Sequence, residues 1–156
     1  MSQLGLMNGK AEDLVACGAH TLFFPHGVGH LIGIDVHDME GYGEVVAYPH
    51  GRKRSKDFGT AFLRNDIDMA AGMCVTIEPG IYFVPAILHN ADFRKEHKNN
   101  VNFAKVERFL TMNGKRGFGG VRIEDDVLCK KSGPDVLSKE VPKEREALEA
   151  LVGSAC

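Results

Sequence analysis

From Met73 to Phe83 the chain runs through an apolar, β-prone stretch, Met73-Cys74-Val75-Thr76-Ile77-Glu78-Pro79-Gly80-Ile81-Tyr82-Phe83, broken by one carboxylate and a Pro-Gly pair. That pattern predicts a strand, a turn and a second short strand over residues 73–84. A second β-prone run, Gly120-Val121-Arg122-Ile123-Glu124-Asp125-Asp126-Val127-Leu128-Cys129, predicts a strand over 120–129. On it Arg122, Glu124 and Asp126 would share one side, and Val121, Ile123 and Asp125 the other. Glycine-punctuated strands are expected over 22–37. Residues 11–18 read as the end of a helix. Val101, Phe103, Ala104, Val106, Phe109 and Leu110 form one face of a helix over about 101–112. A C-terminal helix is expected to begin near Pro142, a good first-turn residue, with Ala147, Leu148, Leu151 and Val152 turned inward. The stretch 40–60 reads as a long loop, 85–98 as a polar, exposed, turn-like segment, and Ser132-Gly133-Pro134 as a turn. Met39, Met69 and Met112 read as core filler.

Mixed helices and strands imply an α+β chain, and 156 residues suffice for one domain with a real core. The formal charge of -2, with Arg52-Lys53-Arg54 as a solvated loop run, argues against a nucleic-acid platform. No apolar stretch approaches membrane-spanning length, and no signal peptide opens the chain. Cys17, Cys74, Cys129 and Cys156 are scattered without Cys-x-x-Cys spacing, which suggests neither a zinc knuckle nor a disulfide framework. A reducing, cytoplasmic setting fits best.

The candidate chemistry begins at His26-Gly27-Val28-Gly29-His30 and continues to His37-Asp38, which places three imidazoles beside Asp35 and Asp38. Histidine titrates near neutral pH and is the commonest metal ligand. The glycines penalise a helix by roughly 1 kcal/mol each, so the stretch reads as extended chain. On a strand His26 and His30 would point the same way and reach one ligand. A zinc-protease reading of His-x3-His fails because Gly27 stands where that motif needs glutamate. Hydrogen-bonded, buried histidines are the other reading. Glu78, alone in its apolar run, is expensive to bury unless paired or bound to metal, whereas Glu124 by itself would pass for a solvated strand end. One histidine and two embedded glutamates on three β segments are better explained by a site. Hard oxygens with few nitrogens favour manganese or another octahedral-tolerant divalent ion. Two such ions held by a bridging carboxylate generate hydroxide from water, which implies hydrolysis.

Three blocks carry a resemblance: Phe24-Pro25-His26-Gly27-Val28-Gly29-His30-Leu31-Ile32-Gly33-Ile34-Asp35-Val36-His37-Asp38, then Thr76-Ile77-Glu78-Pro79-Gly80-Ile81-Tyr82-Phe83, then Gly117-Phe118-Gly119-Gly120-Val121-Arg122-Ile123-Glu124-Asp125-Asp126. In order and spacing they resemble the pita-bread metallopeptidases, nearest the prolidase (Xaa-Pro dipeptidase) branch, from about residue 4 to about residue 150. The resemblance implies a curved antiparallel sheet with flanking helices, in which residues 1–156 form one partial domain, the second half of a two-half catalytic domain. It implies two divalent metal ions, with His30 and Glu78 as ligands and Glu124 bridging. Glu78 doubles as general base, while His26 and His37 contact substrate and steady the tetrahedral intermediate. Arg64 and Arg122 match arginines for the substrate carboxylate, a role that suits the guanidinium fork. Arg64 also reads as a plain surface loop charge.

The same resemblance exposes a departure. The family draws two further ligands from upstream aspartates, and the only acidic residues before His26 are Glu12 and Asp13. Asp57-Phe58-Gly59 followed by Asp68 mimics the aspartate spacing, but it lies after the histidine block. The implied function is metal-dependent hydrolysis of Xaa-Pro dipeptides, with the isolated chain inactive and binding metal weakly or not at all. A missing N-terminal half is the expected partner, and self-association is expected through the apolar surface that half would cover. The alternatives are an Xaa-Pro aminopeptidase acting on longer peptides and a non-catalytic binding or chaperone-type module of the same fold. His26, His30, His37, Glu78 and Glu124 are all present, which favours descent from a working enzyme.

Overall fold

In the computed structural model the described residues are 1–38 and 42–153. Met39, Cys156 and residues 40–41 of the expected loop lie outside them. In chain order the elements are α1 (Ala11–Ala16), a 3-10 turn (Ala19–Leu22), β1 (Leu31–Ile32), α2 (Glu44–Ala47), β2 (Cys74–Ile77), β3 (Gly80–Tyr82), α3 (Pro85–Leu88) and α4 (Ala91–Glu96). They continue with α5 (Phe103–Leu110), α6 (Met112–Lys115), β4 (Gly120–Arg122), β5 (Asp125–Lys130), β6 (Gly133–Val136) and α7 (Arg145–Leu151). The chain is α+β. It divides into one unit built from Met1–Gly27, Arg54–Leu63 and Gly80–Arg122, and a second built from the described residues of Val28–Lys53, Arg64–Pro79 and Ile123–Cys156.

The first unit has the larger apolar core. Leu6, Leu22, Phe23, Leu88 and Val106 are fully shielded, and the Phe83 ring meets Phe23 edge-on at 5.7 Å and stacks on Phe109 at 4.5 Å. Helix α5 buries Val106 and Leu110, one turn apart. Its start is set by Asn102, whose side chain accepts the Lys105 amide at 3.1 Å. The 85–98 stretch is helical rather than turn-like. Pro85 opens α3, and Asn90 caps α4 by accepting the amides of Asp92 and Phe93 at 3.0 and 3.1 Å. Residues that look like turn formers are helix caps here, and the stretch is not simply exposed, since Leu88 and His97 are buried. Strands β3 and β4 pair antiparallel, Gly80 opposite Arg122.

The second unit is an antiparallel sheet in the order β1-β2-β5-β6. Of the expected 22–37 strands only Leu31–Ile32 forms a regular strand, against Cys74 and Val75, although the Val28 and His30 carbonyls also accept backbone amides. A glycine-rich segment has too few side chains to pack along a sheet face, so strand structure persists only where a ladder partner exists. The 120–129 stretch is two strands in different sheets, with Ile123 and Glu124 between them. The face shared by Arg122, Glu124 and Asp126 therefore does not exist as one strand face. The expected turn at 132–134 shifts, so that Gly133 and Pro134 belong to edge strand β6, where a proline costs no ladder bond. Within the expected loop 40–60, α2 forms. Helix α7 begins at Arg145 and buries none of its residues, with Leu148 at 42% and Leu151 at 56% exposure and Val152 beyond it at 79%. The apolar residues there do recur at helical spacing, but a period supplies no surface to pack against. Met69 and Met112 are about half exposed rather than core filler.

On β5, Asp125 accepts the Ser138 hydroxyl at 2.6 Å and the Lys143 ammonium at 2.9 Å. First the Ser138 hydrogen bond and then Lys143 hold its carboxyl below the usual range. A carboxylate whose folded pKa is depressed stabilises the fold above its ordinary value and loses that contribution as pH falls through the depressed one. Ser138→Ala should therefore melt lower than the parent near neutral pH, with the gap closing in strong acid. Thermal melts across pH check this, and a gap that widens with acidification would contradict it.

Candidate metal centre

The site grows from a close approach of two backbones. A Cβ on Gly29 would overlap the carbonyl oxygen of Thr76, so glycine is what lets residues 28–30 lie against 76–78. The two segments are then laced together. The Thr76 amide donates to the His30 carbonyl at 2.9 Å, and the Glu78 amide donates to the Val28 carbonyl at 2.6 Å. The His30 amide donates to the Thr76 hydroxyl at 3.0 Å. Thr76 and Glu78, two residues apart on extended chain, turn to the same side, and the Thr76 hydroxyl donates to Glu78 Oε1 at 2.6 Å.

His30 completes the arrangement, its Nε2 lying 3.1 Å from the same Oε1 with both side chains about nine-tenths buried. A carboxylate at that depth is tolerable because it is paired and hydrogen-bonded. His30 Nδ1 lies 3.0 Å from the Leu31 carbonyl, which can only accept, so Nδ1 carries a proton and Nε2 is the nitrogen presented to Glu78. His37 stands edge-on to His30, ring centroids 4.6 Å apart. Beside His30 a cavity of about 190 Å³ opens among Val28, Leu31, Met69, Val75 and Ile77.

Glu124 is placed by register. The last pair of the β2–β5 ladder is Ile77 opposite Asp125, and the Ile123 amide donates to the Pro79 carbonyl at 3.1 Å, so Glu124 falls opposite Glu78. Unlike Glu78 it is exposed. Among the described residues no three His, Cys, Asp or Glu side chains are gathered so as to hold a metal ion. His30 and Glu78 are chemically suited to a divalent ion, but two donors do not supply the roughly four to six ligands such an ion takes. The described residues of this chain alone do not fit a complete centre.

His26 lies in the first unit, outside any strand, so the alternation that would aim it with His30 does not apply. Its Nδ1 donates to the Gly27 carbonyl at 2.7 Å, and its Nε2 meets the Tyr82 hydroxyl at 3.0 Å. Arg122 ends β4 and is exposed, and Arg64 is half-buried in a loop. The aspartates that mimic the missing ligands are used elsewhere. Asp57 accepts from Ser55 at 3.3 Å. Asp68 accepts from Arg52 at 2.6 Å, and that guanidinium holds its carboxyl below the usual range. Sequence reasoning assigned no role to Thr76 or Tyr82. The spacing of Thr76 and Glu78 was the available signal, since residues i and i+2 of a strand share a side; nothing local announces that Tyr82 meets His26.

Comparison with known proteins places the chain in a family. Residues 4–131 match the family model described as metallopeptidase family M24. The chain is 37% identical over 152 residues to the Xaa-Pro dipeptidase of Homo sapiens, covering 97% of this chain and 28% of that protein. It is 36% identical over 141 residues to the Xaa-Pro dipeptidase of Xanthomonas euvesicatoria pv. vesicatoria, covering 90% of this chain and 30% of that protein. Among solved structures, aminopeptidase PepP of Pseudomonas aeruginosa superposes with a TM-score of 0.58 at 32% identity, over 97% of this chain and 25% of that one. Zinc-substituted E. coli aminopeptidase P in complex with product gives 0.52 at 30% identity, over 96% and 24%. The chain thus spans less than a third of the length of these relatives, and its fold is of their pita-bread type. With His30 and Glu78 paired on segments that the family model covers, the chain belongs to metallopeptidase family M24.

Proposed function

We propose that this chain carries the histidine and glutamate side of a peptidase centre that hydrolyses Xaa-Pro dipeptides with divalent metal ions, manganese foremost. The observation that carries the reading is the contact of His30 Nε2 with Glu78 Oε1 at 3.1 Å, made by residues 48 positions apart and shielded from water. In this reading His30, Glu78 and Glu124 are ligands of a two-ion centre and Glu78 is also the general base. His26, His37, Arg64 and Arg122 face the substrate. Two aspartate ligands come from residues outside this chain, as the short span against the relatives supports. The cavity beside His30 suits a small apolar side chain or a proline ring rather than a bulky one. The protein works in the cytoplasm, where Cys17, Cys74 and Cys129 keep free thiols. Alone, the chain self-associates through exposed apolar residues such as Ile34, Val45 and Val152.

A chimera that joins the preceding part of the human relative to this chain tests the proposal. It should cleave Gly-Pro in a manganese-dependent way, and Glu78→Ala should lower turnover at least about a thousandfold, the scale of losing a general base. A folded, manganese-binding chimera with no turnover would favour the non-catalytic module instead. The likeness to aminopeptidase P supports a second reading, action on longer peptides, and preference for a tripeptide with proline second over Gly-Pro would select it.

A further inference from the structure

We propose that Thr76 is a positioning residue for the His30–Glu78 pair. A hydroxyl has one proton to give and lone pairs with which to accept. Here the Thr76 oxygen accepts the backbone amide of His30 at 3.0 Å, and its proton goes to Glu78 Oε1 at 2.6 Å. Thr76 is 2% exposed, so water does not compete for either bond. One side chain therefore fixes both the backbone from which the imidazole hangs and the carboxylate oxygen that the imidazole meets. The Thr76 backbone adds a third tie, its amide donating to the His30 carbonyl. A short hydroxyl hydrogen bond to a carboxyl oxygen that water does not reach is a directional one. Removing it would take away one of the ties that set the Glu78 side chain against His30.

The geometric claim stands on the contacts alone, and its consequence for turnover rests on the peptidase reading. The test separates the two. Thr76→Val keeps side-chain volume and removes the hydroxyl, Thr76→Ser keeps the hydroxyl, and Thr76→Ala differs from the serine variant by the hydroxyl only. Amide hydrogen exchange is followed by NMR in the 156-residue chain. The His30 amide should exchange about tenfold faster or more in the valine and alanine variants. The Glu78 amide and the β2–β5 ladder should stay within about threefold of the parent, and the serine variant should match the parent. In the chimera, Thr76→Val should lower kcat by about tenfold or more with KM nearly unchanged, and Thr76→Ser should restore it.

An unchanged His30 amide in both hydroxyl-free variants would overturn the proposal. So would a uniform rise across all amides, failure of both hydroxyl-free variants to fold, or a serine variant that behaves like valine, each of which assigns Thr76 to general packing. If exchange responds as expected while no chimera hydrolyses peptide, the positioning role stands and the peptidase reading falls.

Discussion

The 156-residue chain on its own is expected to leave Gly-Pro intact in the presence of manganese and to bind that ion only weakly. A hard divalent ion is held by several oxygen and nitrogen donors at once, and each missing donor leaves a position to be filled by water. The chain offers His30 and Glu78 as a formed pair, with Glu124 opposite by register and exposed. Residues that act as a catalytic unit are strongly non-additive, so losing part of the unit costs nearly as much as losing all of it. Turnover at least about ten-thousandfold below that of an active chimera is the expected result. Titration calorimetry showing two tight manganese sites per chain would contradict this prediction. Manganese-dependent cleavage by the chain that vanishes in Glu78→Ala would contradict it as well.

The second large effect is structural. Gly29→Ala should destabilise the chain by about 3 kcal/mol or more, because the new Cβ would collide with a backbone carbonyl rather than with a side chain that could rotate away. The strain can be relieved only by moving residues 28–30 off residues 76–78, and that movement would break the hydrogen bonds from the Glu78 amide to the Val28 carbonyl and from the Thr76 amide to the His30 carbonyl. Urea denaturation should show the lowered midpoint. NMR of the folded fraction should show exchange protection lost at the Glu78 amide. Wild-type stability with an intact Glu78 amide would mean that the approach of the two segments is not tight enough to require glycine.

The fold class was legible in the chain, while several of its local elements were not. His30 and Glu78 stood out because a lone carboxylate in an apolar run needs a partner, and the structure supplies one. The strand–turn–strand over 73–84 and the helix around Val106 were readable because apolar spacing there follows a single period. The glycine-rich 22–37 segment was misjudged because its extended form depends on a partner strand that local sequence does not reveal. The split at Ile123 and Glu124 was hidden because both sides of it are β-prone, and pairing rather than propensity assigns Gly120–Arg122 and Asp125–Lys130 to different sheets. Asn90, inside the stretch expected to be turn-like, caps a helix instead, because a capping side chain and a turn side chain are the same chemical object.

The non-local lacing of the centre also sets an order of events during synthesis. His30 waits for Thr76, which emerges 46 positions later, and Glu78 is the same 46 positions ahead of Glu124, its opposite by register. At ribosomal speeds of roughly 5–20 residues per second, each wait lasts on the order of seconds, far longer than a short loop needs to close. The imidazole can therefore find its carboxylate before the last strands exist, and Glu124 is added to a pair that has already formed.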